Sequence, residues 1–153
     1  MTIRPASLDD AATIADLNCR LAWESESLTL DPARVLAGVV RALEDGSRAR
    51  YWLAIVDGRV VGQLMQTWEW SDWRNGMFWW IQSVYVLPDY RRQGVFRRLH
   101  QHLRDLAIAD PDVVGLRLYV EHANQAAKAT YARLGMSTTG YEVLEETFGL
   151  DRS

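Results

Sequence analysis

Val84-Tyr85-Val86-Leu87-Pro88-Asp89-Tyr90-Arg91-Arg92-Gln93-Gly94-Val95-Phe96-Arg97-Arg98-Leu99 is the stretch that decides the fold. An apolar, β-branched run stops at a proline, a short arginine-rich turn with one glycine follows, and a helical apolar pattern starts at once. Strand, basic glycine turn and helix in that order build an anion site from backbone. The first turn of a helix has N–H groups without intrahelical partners, and the helix dipole makes that end positive. A phosphate or pyrophosphate fits there. The segment therefore predicts an α/β domain that binds a phosphorylated ligand.

Working outward, Thr2–Ala6 reads as a short strand, and Ser7 as the cap of a helix with Asp9 and Asp10 in its first turn. Ala11, Ile14, Leu17 and Leu21 follow at helical spacing. Asp31-Pro32 starts a second helix that runs to Asp45 and is closed by Gly46. Tyr51–Val56 and Val60–Trp70 are strands joined by Asp57-Gly58, a strong hairpin signal. Asp72–Gly76 is a polar turn, and Met77–Leu87 a long apolar strand. The helix from Gly94 to Ile108 carries Val95, Leu99, Leu103 and Leu106 on one stripe, and Asp110-Pro111 breaks it. Gly115–Val120 is a strand, Asn124–Leu134 a helix stopped by Gly135, and Ser137–Phe148 a last strand or pair. The order is βααβββαβαβ, with no internal repeat or linker.

The 153 residues suit one domain spanning the whole chain. A formal net charge of −3 argues against a nucleic-acid partner held by bulk charge. No run approaches the ~18 apolar residues of a membrane span, and Met1-Thr2-Ile3-Arg4-Pro5 reads as neither signal nor transit peptide. The one cysteine, Cys19, fits a reducing compartment and reads as a semi-buried small residue rather than a nucleophile. These observations predict a cytoplasmic protein. His100 and His102 lie two apart on a helix, on different faces, and His122 has no cysteine partner, so no metal site is expected. Five of the seven tryptophans lie between Trp68 and Trp80.

Three motifs in order resemble the GNAT superfamily of acetyl-CoA-dependent N-acetyltransferases. Ile3-Arg4-Pro5-Ala6 with Asp9 or Asp10 resembles its opening strand and helix. Arg91-Arg92-Gln93-Gly94-Val95-Phe96 resembles its pyrophosphate loop, and Asn124 through Tyr131 to Leu134-Gly135-Met136 its closing motif. The resemblance covers nearly the whole chain. It implies an α/β (α+β) fold with a mixed, mostly antiparallel central sheet flanked by about four helices. Phe96 stands where the family has a small residue, so its ring is expected to turn toward the core. Met136 replaces a phenylalanine. Tyr119 occupies the position where some members carry a glutamate base, so that base is not carried over.

The resemblance implies an acyltransferase that moves an acetyl group from acetyl-CoA to a primary amine, a small molecule ahead of a protein. The transfer is direct, through a tetrahedral intermediate and with no acyl-enzyme. Backbone N–H groups of about Gln93 to Arg98 are expected on the pyrophosphate, with charge from Arg91, Arg92, Arg97 and Arg98. Gly94 is the least replaceable, and Val95 and Phe96 lie in the same turn. The strand Ile81–Val86 is expected to splay from Gly115–Val120 and hold the pantetheine arm through Val84, Tyr85 and Val86, with an N–H near Val84 facing the thioester oxygen. Tyr131 is the expected general acid for the departing thiolate, since a phenol near ~10 and a thiol near ~8.5 make proton transfer close to balanced. Asn124 caps its helix and could also bond the cofactor arm.

For the acceptor, Glu69, Trp70, Asp72 and Trp73 are the candidate binding residues. Indoles beside carboxylates suit a cationic or aromatic amine, although Trp68 and Trp79 also read as plain core. The proton on the amine can go to Glu69, Asp72, Glu121 or a water chain. Glu121 would share a face with Tyr119 if the pleat is regular. The last strand and the Trp-rich edge are candidate homodimer surfaces. Two other readings stand beside this one. A module of the same fold could bind acyl-CoA without catalysis, a regulatory role. An unrelated nucleotide-binding domain is disfavoured by the missing Gly-x-x-x-x-Gly-Lys and Gly-x-Gly-x-x-Gly spacings.

Overall fold

The computed structural model describes residues 1–149. The chain falls into two compact units, Met1–Tyr119 and the part from Val120 on.

The first unit holds five strands in the order β1-β2-β3-β4-β5. They are β1 (Thr2–Pro5), β2 (Arg50–Val56), β3 (Arg59–Ser71), β4 (Gly76–Val86) and β5 (Val113–Leu118). The first four pair antiparallel, and β4 pairs parallel with β5. The expected mixed, mostly antiparallel sheet is therefore observed. Its helices are α1 (Ala11–Glu26), α2 (Pro32–Glu44) and α3 (Val95–Ala109). The hairpin between β2 and β3 turns on Asp57 and Gly58, both at positive φ, the geometry that Asp-Gly favours.

The two faces of the sheet carry different cores. Ile14 and Ala15 of α1 and Val39 and Ala42 of α2 pack on Tyr51 and Leu53. On the other face Val95, Leu99 and Leu103 of α3 join Trp52, Leu64 and Ile81. Gly62 of β3 lies so close to α3 that a Cβ there would stand 2.8 Å from Val95 Cγ1. The absence of a side chain at that position lets the helix seat. At the amino end, Arg4 of β1 donates two hydrogen bonds to Asp10, at 2.8 and 2.9 Å, and the Ser7 N–H donates to the same carboxylate. This ties β1 to the start of α1. Asp31 accepts from the Ala33 N–H with Pro32 in the first turn of α2, as the Asp-Pro pair predicts.

Three expectations need correction. Leu106 is not on the buried stripe of α3. It lies at the rim near the helix end and is exposed, while His100 and Ala107 are buried. Helix α2 ends on Asp45 in extended backbone, with the Ser47 N–H and hydroxyl on the Asp45 carboxylate, and Gly46 has no left-handed role. Residues 137–148 carry no strand, and Tyr141, Val143, Leu144 and Phe148 are exposed. A β-rich run becomes a strand only where a neighbour takes its backbone hydrogen bonds, and this run has no ladder.

The second unit contains α4 (Gln125–Arg133). Asn124 Oδ1 accepts from the Ala127 N–H at 3.0 Å. Gly135, at φ +93°, closes the helix, with the Gly135 N–H on Ala132 and the Met136 N–H on Tyr131. This is a Schellman end, and the left-handed position explains the glycine. No helix among the described residues is long and apolar enough to cross a membrane.

Candidate active site

The centre of β4 is irregular in a way its sequence hides. Gln63 pairs with Tyr85 and Met65 with Gln82, so Leu64 alone faces both Ser83 and Val84. That is a β-bulge, and Ser83 sits in it at φ +51°. Pairing with β5 stops at Ile81 and Leu118. Beyond this point Gln82–Val86 has β3 on one side and, among the described residues, no strand on the other. The Leu87 N–H donates to the Val61 carbonyl at 2.9 Å. Backbone groups alternate along an extended strand, so Tyr85 also faces β3, while Val84 and Val86 turn their backbone away from it. The two strands part here, and of the three expected residues Val84 and Val86 turn their backbone to the open side while Tyr85 does not. The Val86 carbonyl on that side accepts from Arg91 Nε at 2.8 Å, so its N–H is the group left for a ligand.

The turn after Pro88 has Arg92 at φ +62° and Gly94 at φ +80°, with α3 starting at Val95. A Cβ on Gly94 would meet nothing within 4 Å. Its backbone angle, not crowding within the protein, therefore selects glycine. The Arg98 N–H already donates to the Gly94 carbonyl. The N–H groups of Val95 and Arg97 precede the first intrahelical bond of α3 and stand at its amino end. The open space at Gly94 and these donors fit a pyrophosphate. The four arginines differ. Arg91 donates to Glu24 at 2.7 Å and lies over the Tyr85 ring, and Arg98 donates to the Met1 carbonyl. Arg92 and Arg97 are exposed. Gln93 donates to the Asp89 carbonyl and closes the turn. Phe96 is half-buried with its ring 6.0 Å from His100, while Val95 fills the core position.

Glu24, at the end of α1, had no signal in the sequence. Its carboxylate accepts from the Tyr85 hydroxyl at 2.7 Å and from Arg91, and both hold it below the usual carboxylate range, Tyr85 most strongly.

On the α1 side of the sheet, Glu69 Oε1 accepts from Arg117 at 2.8 Å and from Trp80 Nε1 at 3.0 Å. Arg117 lies 3.7 Å above the Phe78 ring, and Trp80 stacks on Tyr119 with centroids 4.5 Å apart. Trp79 packs against the core, as its plain reading expected. Trp70 and Trp73 are 57% and 85% exposed. Asp72 holds the turn by accepting from the Trp73 N–H. Strand β5 ends at Leu118, so no pleat carries Glu121, whose carbonyl instead accepts from the Asn124 N–H. In the second unit, burial raises the Tyr131 phenol above its ordinary value. Among the described residues no cluster of His, Cys, Asp or Glu could hold a metal.

A sheet whose parallel pair opens beside a bulge, next to a helix begun by a left-handed glycine, has the architecture of a GNAT acetyltransferase. The model of the acetyltransferase (GNAT) family matches residues 14–136, and the chain belongs to that family. Among solved structures, it is similar to a possible acetyltransferase from Clostridium difficile 630 at 45% identity and TM-score 0.91, covering 96% of this chain and 97% of that one. A ribosomal-protein-alanine N-acetyltransferase from Brucella melitensis biovar Abortus 2308 shares the fold at 20% identity and TM-score 0.77, over 97% and 99% of the two chains. A predicted acetyltransferase from Clostridium acetobutylicum, solved with acetyl-CoA, shares it at 16% identity and TM-score 0.77, over 95% of each. No curated protein matches the chain.

Proposed function

We propose that this protein is an N-acetyltransferase that passes the acetyl group of acetyl-CoA directly to a primary amine. The observation that carries the reading is the backbone of Val84 and Val86, turned away from β3 where β5 has left the ladder. A pantetheine arm presents amides that such a strand edge can pair. The pyrophosphate then falls to the first-turn N–H groups of α3, with Arg92 and Arg97 supplying charge and Arg91 shaping the turn through Val86 and Glu24. The Val84 N–H stabilises the negative charge that develops on the thioester oxygen as the amine attacks. Tyr131 protonates the departing thiolate, and its raised pKa keeps that proton in place at neutral pH. Asn124 uses its carboxamide oxygen to cap α4, which leaves its NH2 group for the cofactor arm.

The acceptor is a small-molecule amine, bound by Glu69, Trp70, Asp72 and Trp73. Two exposed indoles and two carboxylates within one hairpin end support this choice. A protein amino terminus is the second reading, since the fold is shared with an enzyme that acts on a ribosomal-protein alanine. Calorimetry with acetyl-CoA tests the donor, and a free-thiol assay over a panel of amines, including a peptide with amino-terminal alanine, tests the acceptor. No heat of binding at millimolar acetyl-CoA refutes the reading. Binding without turnover on any amine favours a catalytically silent module.

A further inference from the structure

Gln63 is fully buried in the middle of β3, yet its side chain is polar at both ends. Its Nε2 donates to Asn18 Oδ1 of α1 at 2.7 Å and to the Ser83 carbonyl at 3.1 Å. Its Oε1 has no partner. A backbone carbonyl can only accept, so the carboxamide orientation is fixed by Ser83. Burial raises the Tyr51 phenol above its ordinary pKa, and Asn18 acts to lower it. Gln63 thus links half-buried Asn18 of α1 to the carbonyl of the one β4 residue in left-handed backbone. Leucine of similar size would remove Oε1 but would also take away the donor on Asn18 and on the Ser83 carbonyl. The Gln63 carboxamide is thus the group that bridges α1 and the bulge of β4. What it does is hold a conformation that a serine in a strand adopts reluctantly.

We propose that Gln63 is a positioning residue that keeps Ser83 left-handed and thereby aims the Val84 N–H at the thioester carbonyl. The aim of Val84 rests on the acetyl-transfer reading above, whereas the grip of Gln63 on Ser83 rests on the bulge alone. The two are tested separately.

Gln63→Leu is the informative variant, with Gln66→Leu as control. Gln66 is a second buried glutamine of β3, bonded to Trp52 rather than to β4. In the ligand-free proteins, the backbone and Cβ chemical shifts of Ser83 should report left-handed backbone in the wild type and in Gln66→Leu, and lose it in Gln63→Leu. With [1-13C]acetyl-CoA, the bound carbonyl resonance should move away from its free position in the wild type and return toward it in Gln63→Leu. Calorimetric affinity should stay within about threefold. With an amine accepted by the wild type, kcat should fall at least ~10-fold with KM nearly unchanged, as for loss of an oxyanion donor. Adding Ser83→Gly, which adopts positive φ freely, should restore the carbonyl shift in the Gln63→Leu background. A Gln63→Leu protein that keeps left-handed Ser83 shifts overturns the proposal. So does one that loses them while the carbonyl shift and kcat persist. Failure of the wild type to bind acetyl-CoA instead overturns the acetyl-transfer reading and, with it, the role given to Val84, while the Ser83 shifts still decide whether Gln63 grips the bulge.

Discussion

Gly62→Ala measures how tightly α3 is seated on the sheet. An alanine Cβ at Gly62 would stand 2.8 Å from Val95 Cγ1, 3.4 Å from the Tyr85 carbonyl oxygen and 3.5 Å from Leu99 Cδ1. The first distance lies well inside the usual ~3.5–4.0 Å carbon separation. Val95 is β-branched and buried in the first turn of a helix, so its rotamer has almost no freedom to yield. Relief has to come from the helix moving outward. Overpacking of this kind costs about 1–3 kcal/mol. Val95→Ala alone removes two buried methyl-sized groups and should cost about 1.5–2.5 kcal/mol from transfer plus cavity. In the double variant the new methyl occupies the space the valine gave up. Its loss should therefore fall short of the sum of the single losses by about 1 kcal/mol or more. Urea denaturation of the four proteins at equal m-values gives the coupling. On the proposed reading Val95 also opens the turn whose N–H groups take the cofactor, so Gly62→Ala should weaken acetyl-CoA binding and Val95→Ala should restore it. Additive stabilities would show that the contact is not what seats the helix.

Gly94→Ala should cost about 1 kcal/mol of stability, because the residue stands at φ +80° in open space, and Gly94→Asn should cost less; chemical denaturation checks both, and equal costs refute the backbone explanation. His100 is buried with both ring nitrogens unpartnered, and burial followed by Arg104 lowers its pKa below ~6.5. The unfolded chain therefore binds the proton more readily, and stability should be lost as pH falls below about 6.5. His100→Leu should flatten the wild-type difference in denaturation midpoint between pH 7.5 and 5.5, at no cost at the higher pH. Tyr131→Phe should lower kcat by about 10²-fold with acetyl-CoA affinity unchanged; full activity in the thiol-release assay would remove it as the acid.

Much of the fold was legible because local chemistry and topology agree. Asp57-Gly58 admits little but a hairpin, Asp31-Pro32 little but a helix start, and Gly135 takes the left-handed position that ends α4. The run at residues 137–148 failed for the opposite reason, since alternation and β-branching do not by themselves supply a neighbouring strand. The site was legible only in outline. The glycine turn suggests an anion site, but the groups proposed to hold a thioester are backbone N–H donors, which every residue but proline has. Nothing in the run Ile81–Val86 marks Ser83 as left-handed. The available signal lay one strand away, in two glutamines, Gln63 and Gln66, set in an otherwise apolar stretch of β3. Buried amides in such a run imply partners, and the Ser83 carbonyl is one of them.

Arg91 gives the loop arginines a division of labour that their sequence does not show. Four arginines within eight positions read as a single basic patch. In the structure Arg91 holds the Val86 carbonyl with Nε and the Glu24 carboxylate with a terminal nitrogen. Its plane also lies over Tyr85, whose hydroxyl donates to that same carboxylate. The end of α1, the end of β4 and the start of the turn are thereby joined through one guanidinium. A lysine has neither the fork nor the flat face for this. The pair is exposed, so its worth as an ion pair is small, and its value lies in geometry. Fixing the Val86 carbonyl also fixes the adjacent strand edge on which the Val84 and Val86 N–H groups lie. An arginine that its sequence offers to a phosphate is thus committed within the protein, beside the edge proposed for the pantetheine. Charge for the ligand falls to its neighbours Arg92 and Arg97.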